Sequence, residues 1–163
     1  MNILNSVVYE HKQKLIVAQD PCQVYLDIQS QLQCGNDSYP LNFGYRYCSK
    51  FVAAASVGLF DAVGITWVNC TRICLIDAII NISIQSNITC PSLSVQAFAS
   101  HVGCYLGCGF CDVLPHLVIG LATTFNPFDF LNPQAIEQVI NVATACGSQW
   151  FGTLFSPLLS LLG

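Results

Sequence analysis

Charge is what this 163-residue chain has least of. Asp, Glu, Lys and Arg make up 9% of it, with 5 Lys or Arg against 9 Asp or Glu and a net charge of −4. Five cations cannot neutralise the phosphates along a nucleic-acid site, so nucleic-acid binding is excluded, and an anionic membrane surface is a poor partner for the same reason. Compact catalytic signatures are also missing: there is no G-x-S-x-G, no H-E-x-x-H and no phosphate-cradling glycine loop. The carboxylates are dispersed without an EF-hand register, so a high-affinity calcium loop is absent. Sustained period-two alternation is absent too, which argues against a sheet. Nor is there an unbroken run of the roughly 20 apolar residues that a bilayer span requires. Residues 51–68 carry Asp61, residues 105–125 carry Asp112, Pro115 and His116, and the apolar tail 150–163 contains Pro157. No transmembrane span is expected.

What the chain has in quantity is apolar surface and cysteine. Hydrophobic residues are 53% of the composition and the mean hydropathy is +0.56, far from the range of disordered chains. A length of 163 residues suits one domain with one core. Ten cysteines imply metal sites in a reducing compartment and disulfides in an oxidising one. Four N-x-S/T sequons, at Asn36, Asn69, Asn81 and Asn87, bear on that choice. They point to the secretory pathway, with disulfides at Cys22, Cys34, Cys48, Cys70, Cys74, Cys90, Cys104, Cys108, Cys111 and Cys146, and the even count allows all ten to pair within the chain. Asn36 and Asn87 look the more loop-like of the glycosylation sites, and Cys70 fills the middle of the Asn69 sequon. Residues 1–19 lack an apolar signal core because Glu10, His11, Lys12 and Lys14 interrupt them. The preferred expectation is a signal peptide already removed, the alternative an incomplete sequence.

Helix punctuation divides the rest. Asp20-Pro21 predicts an N-cap followed by proline at the first helical position, with Gln23 reaching back as in a capping box. The helix would bury Val24, Tyr25, Ile28 and Leu32 and stop at Gly35. From Tyr45, the residues Cys48, Phe51, Val52, Ala55, Leu59, Val63, Trp67, Cys70, Ile73 and Cys74 recur at helical spacing, with Gly58 and Gly64 able to bend or split the run. A further helix is expected over about 92–105, and a short one capped by Asp112, with Pro115 in its first turn and Leu114, Leu117 and Leu121 inside. Asn132-Pro133 starts the last, burying Ile136, Val139, Ile140, Ala143 and Cys146 and ending at Gly147. Residues 123–132 read as a loop. The expected architecture is an all-α, disulfide-stapled bundle in a single domain. Residues 20–147 form its cysteine-rich helical body, 1–19 a loosely ordered N-terminal segment and 148–163 an apolar tail.

Two cysteine patterns invite chemistry. Cys104-x3-Cys108-x2-Cys111 has the spacing that holds an iron–sulfur cluster in radical enzymes, but those need a partial α/β barrel, which a short chain without strand–helix alternation cannot form. The alternative is structural. Cys70-x3-Cys74 and Cys104-x3-Cys108 each place two thiols one turn apart on a helix face, so two antiparallel helices can be joined by Cys70–Cys108 and Cys74–Cys104. Ten cysteines nevertheless allow nine times the 105 pairings of eight, and the connectivity stays open. His101 and His116 lie near Cys104 and Asp112, but a Cys–His catalytic pair needs a free thiolate. No catalytic residue, metal ligand or cofactor is expected, and the chain reads as a non-enzyme.

The cysteine frame also resembles a family. Cys74, Cys90, Cys104 and Cys111 are separated by 16, 14 and 7 positions, similar to the central region of the stanniocalcins, secreted disulfide-rich helical glycoprotein hormones. Phe60-Asp61-Ala62-Val63-Gly64-Ile65-Thr66-Trp67-Val68, with Cys74 seven residues after Trp67, resembles the family's F-D-x-x-G-x-x-aromatic-V stretch. Cys104-Tyr105 matches its Cys-Tyr, and residues 132–139, NPQAIEQV, resemble N-P-E-A-I-x-E-V. Cys34 with the Asn36 sequon, and residues 47–51, YCSKF, resemble its upstream region. The resemblance runs from Cys34 to Val139, more in spacing than in identity.

This chain departs from the family in three ways: it is much less charged, one family cysteine between Cys34 and Cys48 is missing, and Cys70 and Cys108 are additional, placed to pair with each other. The resemblance implies hormone-like or paracrine signalling through a protein partner or receptor, calcium and phosphate balance, inhibition of a secreted metalloproteinase in some members, and a homodimer linked through a cysteine of the C-terminal half. Here the even count lets Cys146 pair internally, and the apolar tail could mediate a dimer without a bond. A second reading rests on composition alone: a secreted carrier of lipid or another apolar ligand, in a cavity enclosed by apolar helices. A structural or defensive secreted protein is a third.

Overall fold

The computed structural model describes residues 20–126, 128 and 132–147. The N-terminal segment 1–19 and the tail 148–163 lie outside the described residues. Among the described residues there are six α-helices and no strand: α1 (Gln23–Leu32), α2 (Arg46–Ser56), α3 (Ala62–Ser83), α4 (Cys90–Gly107), α5 (Phe110–Thr124) and α6 (Pro133–Cys146), with a π-helical segment, Pro40–Tyr45, leading directly into α2. The chain is an all-α bundle stapled by disulfides.

Helix α3 is the axis of the bundle, packing on α1, α2, α4 and α5. Bridges Cys70–Cys108 and Cys74–Cys104, with the Gln85–Gln96 side-chain hydrogen bonds further along, set α3 and α4 antiparallel. Helix α6 lies along α4 in the same direction, since Ser94 meets Gln134 near one end and Cys111 is bonded to Cys146 near the other. Helix α3 is long and apolar enough to cross a membrane by length and composition, and 39% of that stretch is buried inside the bundle; the sequence windows that end at Val68 or begin at Tyr105 do not contain it.

Two cores result. The first gathers Val24, Tyr25 and Ile28 of α1, Tyr39, Ile76, Ile79, Ile80 and Ile82 of α3, and Leu93, Ala97 and Phe98 of α4. The second gathers Ala54, Phe60, Trp67 and Val68, then Phe110, Leu114, Leu117 and Leu121 of α5, and Val142 of α6. Ring contacts run from one to the other: Phe43–Phe98 at 4.8 Å, Tyr39–Phe98 at 5.0 Å, His101–Tyr105 at 5.6 Å and Trp67–Tyr105 at 5.4 Å. Close backbone approaches lock each core. The Tyr25 ring lies where a Cβ on Gly44 would be, and the Phe60 ring occupies the corresponding space at Gly120.

Several boundaries differ from the sequence expectation. Helix α1 ends at Leu32, not Gly35, because Gln33 already takes the left-handed conformation (φ 52) and donates its N–H to Gln29 O. Asp20 does not cap α1; its carboxylate accepts the Cys22 N–H at 2.8 Å, while Gln23 bonds to Asp27. The long run after Tyr45 does split, at 57–61, where Gly58 has φ +78 and Asp61 starts α3 by accepting the Gly64 N–H at 2.9 Å. Gly64 sits inside α3 without breaking it.

Helix α4 starts at Cys90, capped by Thr89, and reaches Gly107. Helix α5 starts at Phe110 behind Gly109, so Asp112 lies in the first turn instead of capping, Pro115 falls in the helix interior, and Thr123 and Thr124 are helical. The reason is the corner. Gly109, at φ +79, turns the chain through 107° as soon as α4 ends, and Phe110, Leu114, Leu117 and Leu121 then fall on one buried face. Val63, Ile73 and Ile140, expected inside, are exposed, and Val142 takes the interior position beside Ala143 on α6.

Candidate functional site

All ten cysteines are bonded: Cys22–Cys48, Cys34–Cys90, Cys70–Cys108, Cys74–Cys104 and Cys111–Cys146. The α3–α4 pair is the one that one-turn spacing predicted. Five bridges place the folded chain in an oxidising environment. With Cys146 tied to Cys111, no thiol is left for an intermolecular bond or a metal, and the Cys104–Cys108–Cys111 cluster motif is accounted for by three separate bridges. No group of three His, Cys, Asp or Glu side chains capable of holding a metal occurs among the described residues.

The four sequon asparagines are all exposed. Asn36 lies in the turn after α1, and Asn87 lies in the α3–α4 loop with φ 61. Asn69 and Asn81 project from α3, where Asn69 Oδ1 accepts from Arg72 Nη2 at 3.3 Å.

The two histidines flagged beside cysteines serve different ends. His101 is packed among Tyr39, Phe98 and Tyr105. Its Nδ1 donates to Ala97 O at 2.9 Å and is 3.2 Å from Phe98 O; a carbonyl can only accept, so Nδ1 carries the proton. Burial pushes its pKa below the usual value, and those carbonyl bonds oppose the shift. His116 is exposed, with Nδ1 2.6 Å from Asp61 Oδ2. The Gly64 N–H first, and His116 second, hold Asp61 below the usual carboxylate range. The pair ties the start of α3 to α5 at the surface.

The surface feature that stands out is on α4. Its exposed residues Val95, Ala99, Gly103 and Gly107 recur every four positions, and a Cβ on Gly103 or Gly107 would meet nothing. The helix contains no Asp, Glu, Lys or Arg, so this is a flat, uncharged stripe about 18 Å long at 1.5 Å per residue.

Comparison with protein-family models, with curated proteins and with solved structures finds no match.

The α4 stripe was not singled out from the sequence, although its four-residue spacing and lack of charge were legible there. What could not be read was which side of α4 the neighbours would leave open, because no charge marks a solvent side on this helix. Trp67 Nε1 and Thr71 Oγ1, one turn apart on α3, were missed as well: both are buried without a hydrogen-bond partner.

Proposed function

We propose that this chain is a secreted, N-glycosylated helical protein that acts by contact with a protein partner or receptor, as a hormone-like or paracrine factor resembling the stanniocalcins, and has no catalytic chemistry of its own. The observation that carries the contact reading is the uncharged α4 stripe of Val95, Ala99, Gly103 and Gly107. Small residues let another surface approach the backbone closely, and no charge has to be desolvated there. The five bridges and the four exposed sequon asparagines support an extracellular setting. A homodimer, if formed, is non-covalent, since every cysteine is used internally.

The test is affinity capture from extracellular fluid with the glycosylated protein and its Gly103→Arg variant, which leaves the helix side open to solvent but puts a charge into the stripe. The expected result is a specific protein retained by the parent and lost by the variant at unchanged helical content. A second reading, the carrier of an apolar ligand, is favoured by one observation: unpartnered Trp67 Nε1 and Thr71 Oγ1 are interior polar groups that a ligand's polar end could satisfy. Recovery of bound lipid and no protein would support the carrier and overturn the contact reading.

A further inference from the structure

Three of the five bridges meet at one corner of the bundle. Within eight residues, Cys104 is bonded to Cys74, Cys108 to Cys70 and Cys111 to Cys146. Cys108 closes α4, Gly109 makes the turn, and Cys111 is the second residue of α5. Accessibility differs sharply among these sulfur-bearing residues. Cys70 is the exposed one of the ten, Cys108, Cys111 and Cys146 are partly buried, and Cys22 and Cys104 are buried. Thiol–disulfide exchange requires a thiolate to reach a disulfide sulfur from solvent, so access selects the bridge that reacts. Cys108-Gly109-Phe110-Cys111 has the spacing of two residues between thiols at a helix N-terminus, where the aligned N–H groups favour a thiolate.

We propose that Cys70 is a thiolation site for a small extracellular monothiol such as glutathione, and that the α4–α5 corner passes the exchange on to Cys146. The thiolate of the monothiol attacks Cys70 Sγ; a mixed disulfide forms, the Cys70–Cys108 bond breaks, and Cys108 leaves as thiolate. Cys108 then attacks Cys111 Sγ three residues away; the Cys108–Cys111 bond forms, the Cys111–Cys146 bond breaks, and Cys146 leaves as thiolate and takes a proton. One thiol is consumed and one is produced, so no net oxidant or reductant is needed. Cys108 and Cys111 are three positions apart across the Gly109 turn, so the second exchange is intramolecular. The outcome is structural: Cys111–Cys146 is the bridge that ties α6 to α5, so exchange frees the C-terminal end of α6 and presents one thiol there.

The experiment uses the folded, disulfide-bonded protein in graded reduced glutathione, alkylated without denaturant and mapped by peptide mass spectrometry. The expected result is glutathione on Cys70, a new Cys108–Cys111 peptide link and alkylation of Cys146, all before either Cys22–Cys48 or Cys34–Cys90 reacts. Labels confined to Cys70 and Cys108 with Cys146 still bonded would overturn the relay. First reaction at any other bridge, or simultaneous reduction of all five, would overturn the site. The Cys70→Ser/Cys108→Ser variant is expected to leave Cys146 unlabelled at the same glutathione concentration; labelling there would show an independent route and overturn the relay. Should that variant fail to fold, the map of the parent protein decides alone.

Discussion

The two cores of this bundle are held by different means. The first lies under short, irregular elements: a ten-residue α1 without a side-chain cap, and a π-helical segment seated on Tyr25 through Gly44. Its bridges, Cys22–Cys48 and Cys34–Cys90, span 26 and 56 residues and tie those elements to α2 and α4. The second lies between long helices, with α3 and α6 capped by Asp61 and Asn132 and with Phe60 plugged against Gly120. Its three bridges converge on one corner. Where helices are short, propensity and burial supply little and covalent closure has to restrict the unfolded chain. Where they are long and capped, the bridges fix geometry that packing already favours.

The strongest way to break this contrast is to remove one bridge from each side. Cys34→Ser/Cys90→Ser is expected to cost about 4 kcal/mol, from the entropy of a loop of that length, and to strip hydrogen-exchange protection from α1 and the π-helical segment while α5 keeps its own. Cys111→Ser/Cys146→Ser should leave the protection of α3 and α5 in place. If either pair abolished protection everywhere at once, the cores would be one cooperative unit and the contrast would fail.

A smaller effect separates the two plugs. Ala at Gly44 or at Gly120 forces a methyl into the Tyr25 or Phe60 ring, for an expected loss of about 1–3 kcal/mol in each case. Gly120 should be the more costly, because Phe60 is enclosed by α3 and α5, whereas the Tyr25 contact can relax with α1. Gly103→Ala, in open space on α4, should stabilise by about 0.5–1 kcal/mol. Thermal unfolding of the three variants measures the order.

The smallest expected effects are in pH dependence. Burial raises the pKa of Tyr25 and Tyr39 in the first core, and of Tyr105 between the cores, above the usual value of 10.0. The folded state then holds protons that the unfolded chain releases, so stability is full below pH 10 and is lost as pH rises beyond it. His101 shifts the other way, below 6.5. The unfolded chain binds that proton first, so its contribution is present above pH 6.5 and is lost as pH falls from there towards the folded value. Asp61, depressed below 3.8, contributes above that value and loses its contribution as pH falls through the folded pKa. His101→Phe should therefore flatten the limb just below pH 6.5 and leave the one near pH 4 unchanged, as read from urea midpoints across pH.

Much of the fold was legible in local chemistry. Asn132-Pro133 marked the start of α6 and Gly147 its end, because a capping amide followed by proline suits the first turn and little else. One-turn spacing on two helices allowed Cys70 to pair with Cys108 and Cys74 with Cys104 if those helices ran antiparallel, and they do. The α4–α5 corner was harder to read. Asp112 and Pro115 both signalled a later helix start, and the turn at Gly109 overrode them. Exposure at Val63, Ile73 and Ile140 was misread because, in a chain this apolar, hydrophobicity alone does not distinguish the side of a helix that faces the core.

Composition-level and local facts were readable directly in the sequence: helical periodicity without strand alternation, the Asn132 cap and the Gly147 stop, cysteines in even number and few cations. These depend on neighbours within a turn or two. Tertiary packing set the pairing of all ten cysteines, the side of α4 left open, the wrapping of His101 by three aromatic rings and the convergence of three disulfides at one corner. Each of those depends on residues tens of positions apart meeting in space, and helical periodicity does not specify which faces meet.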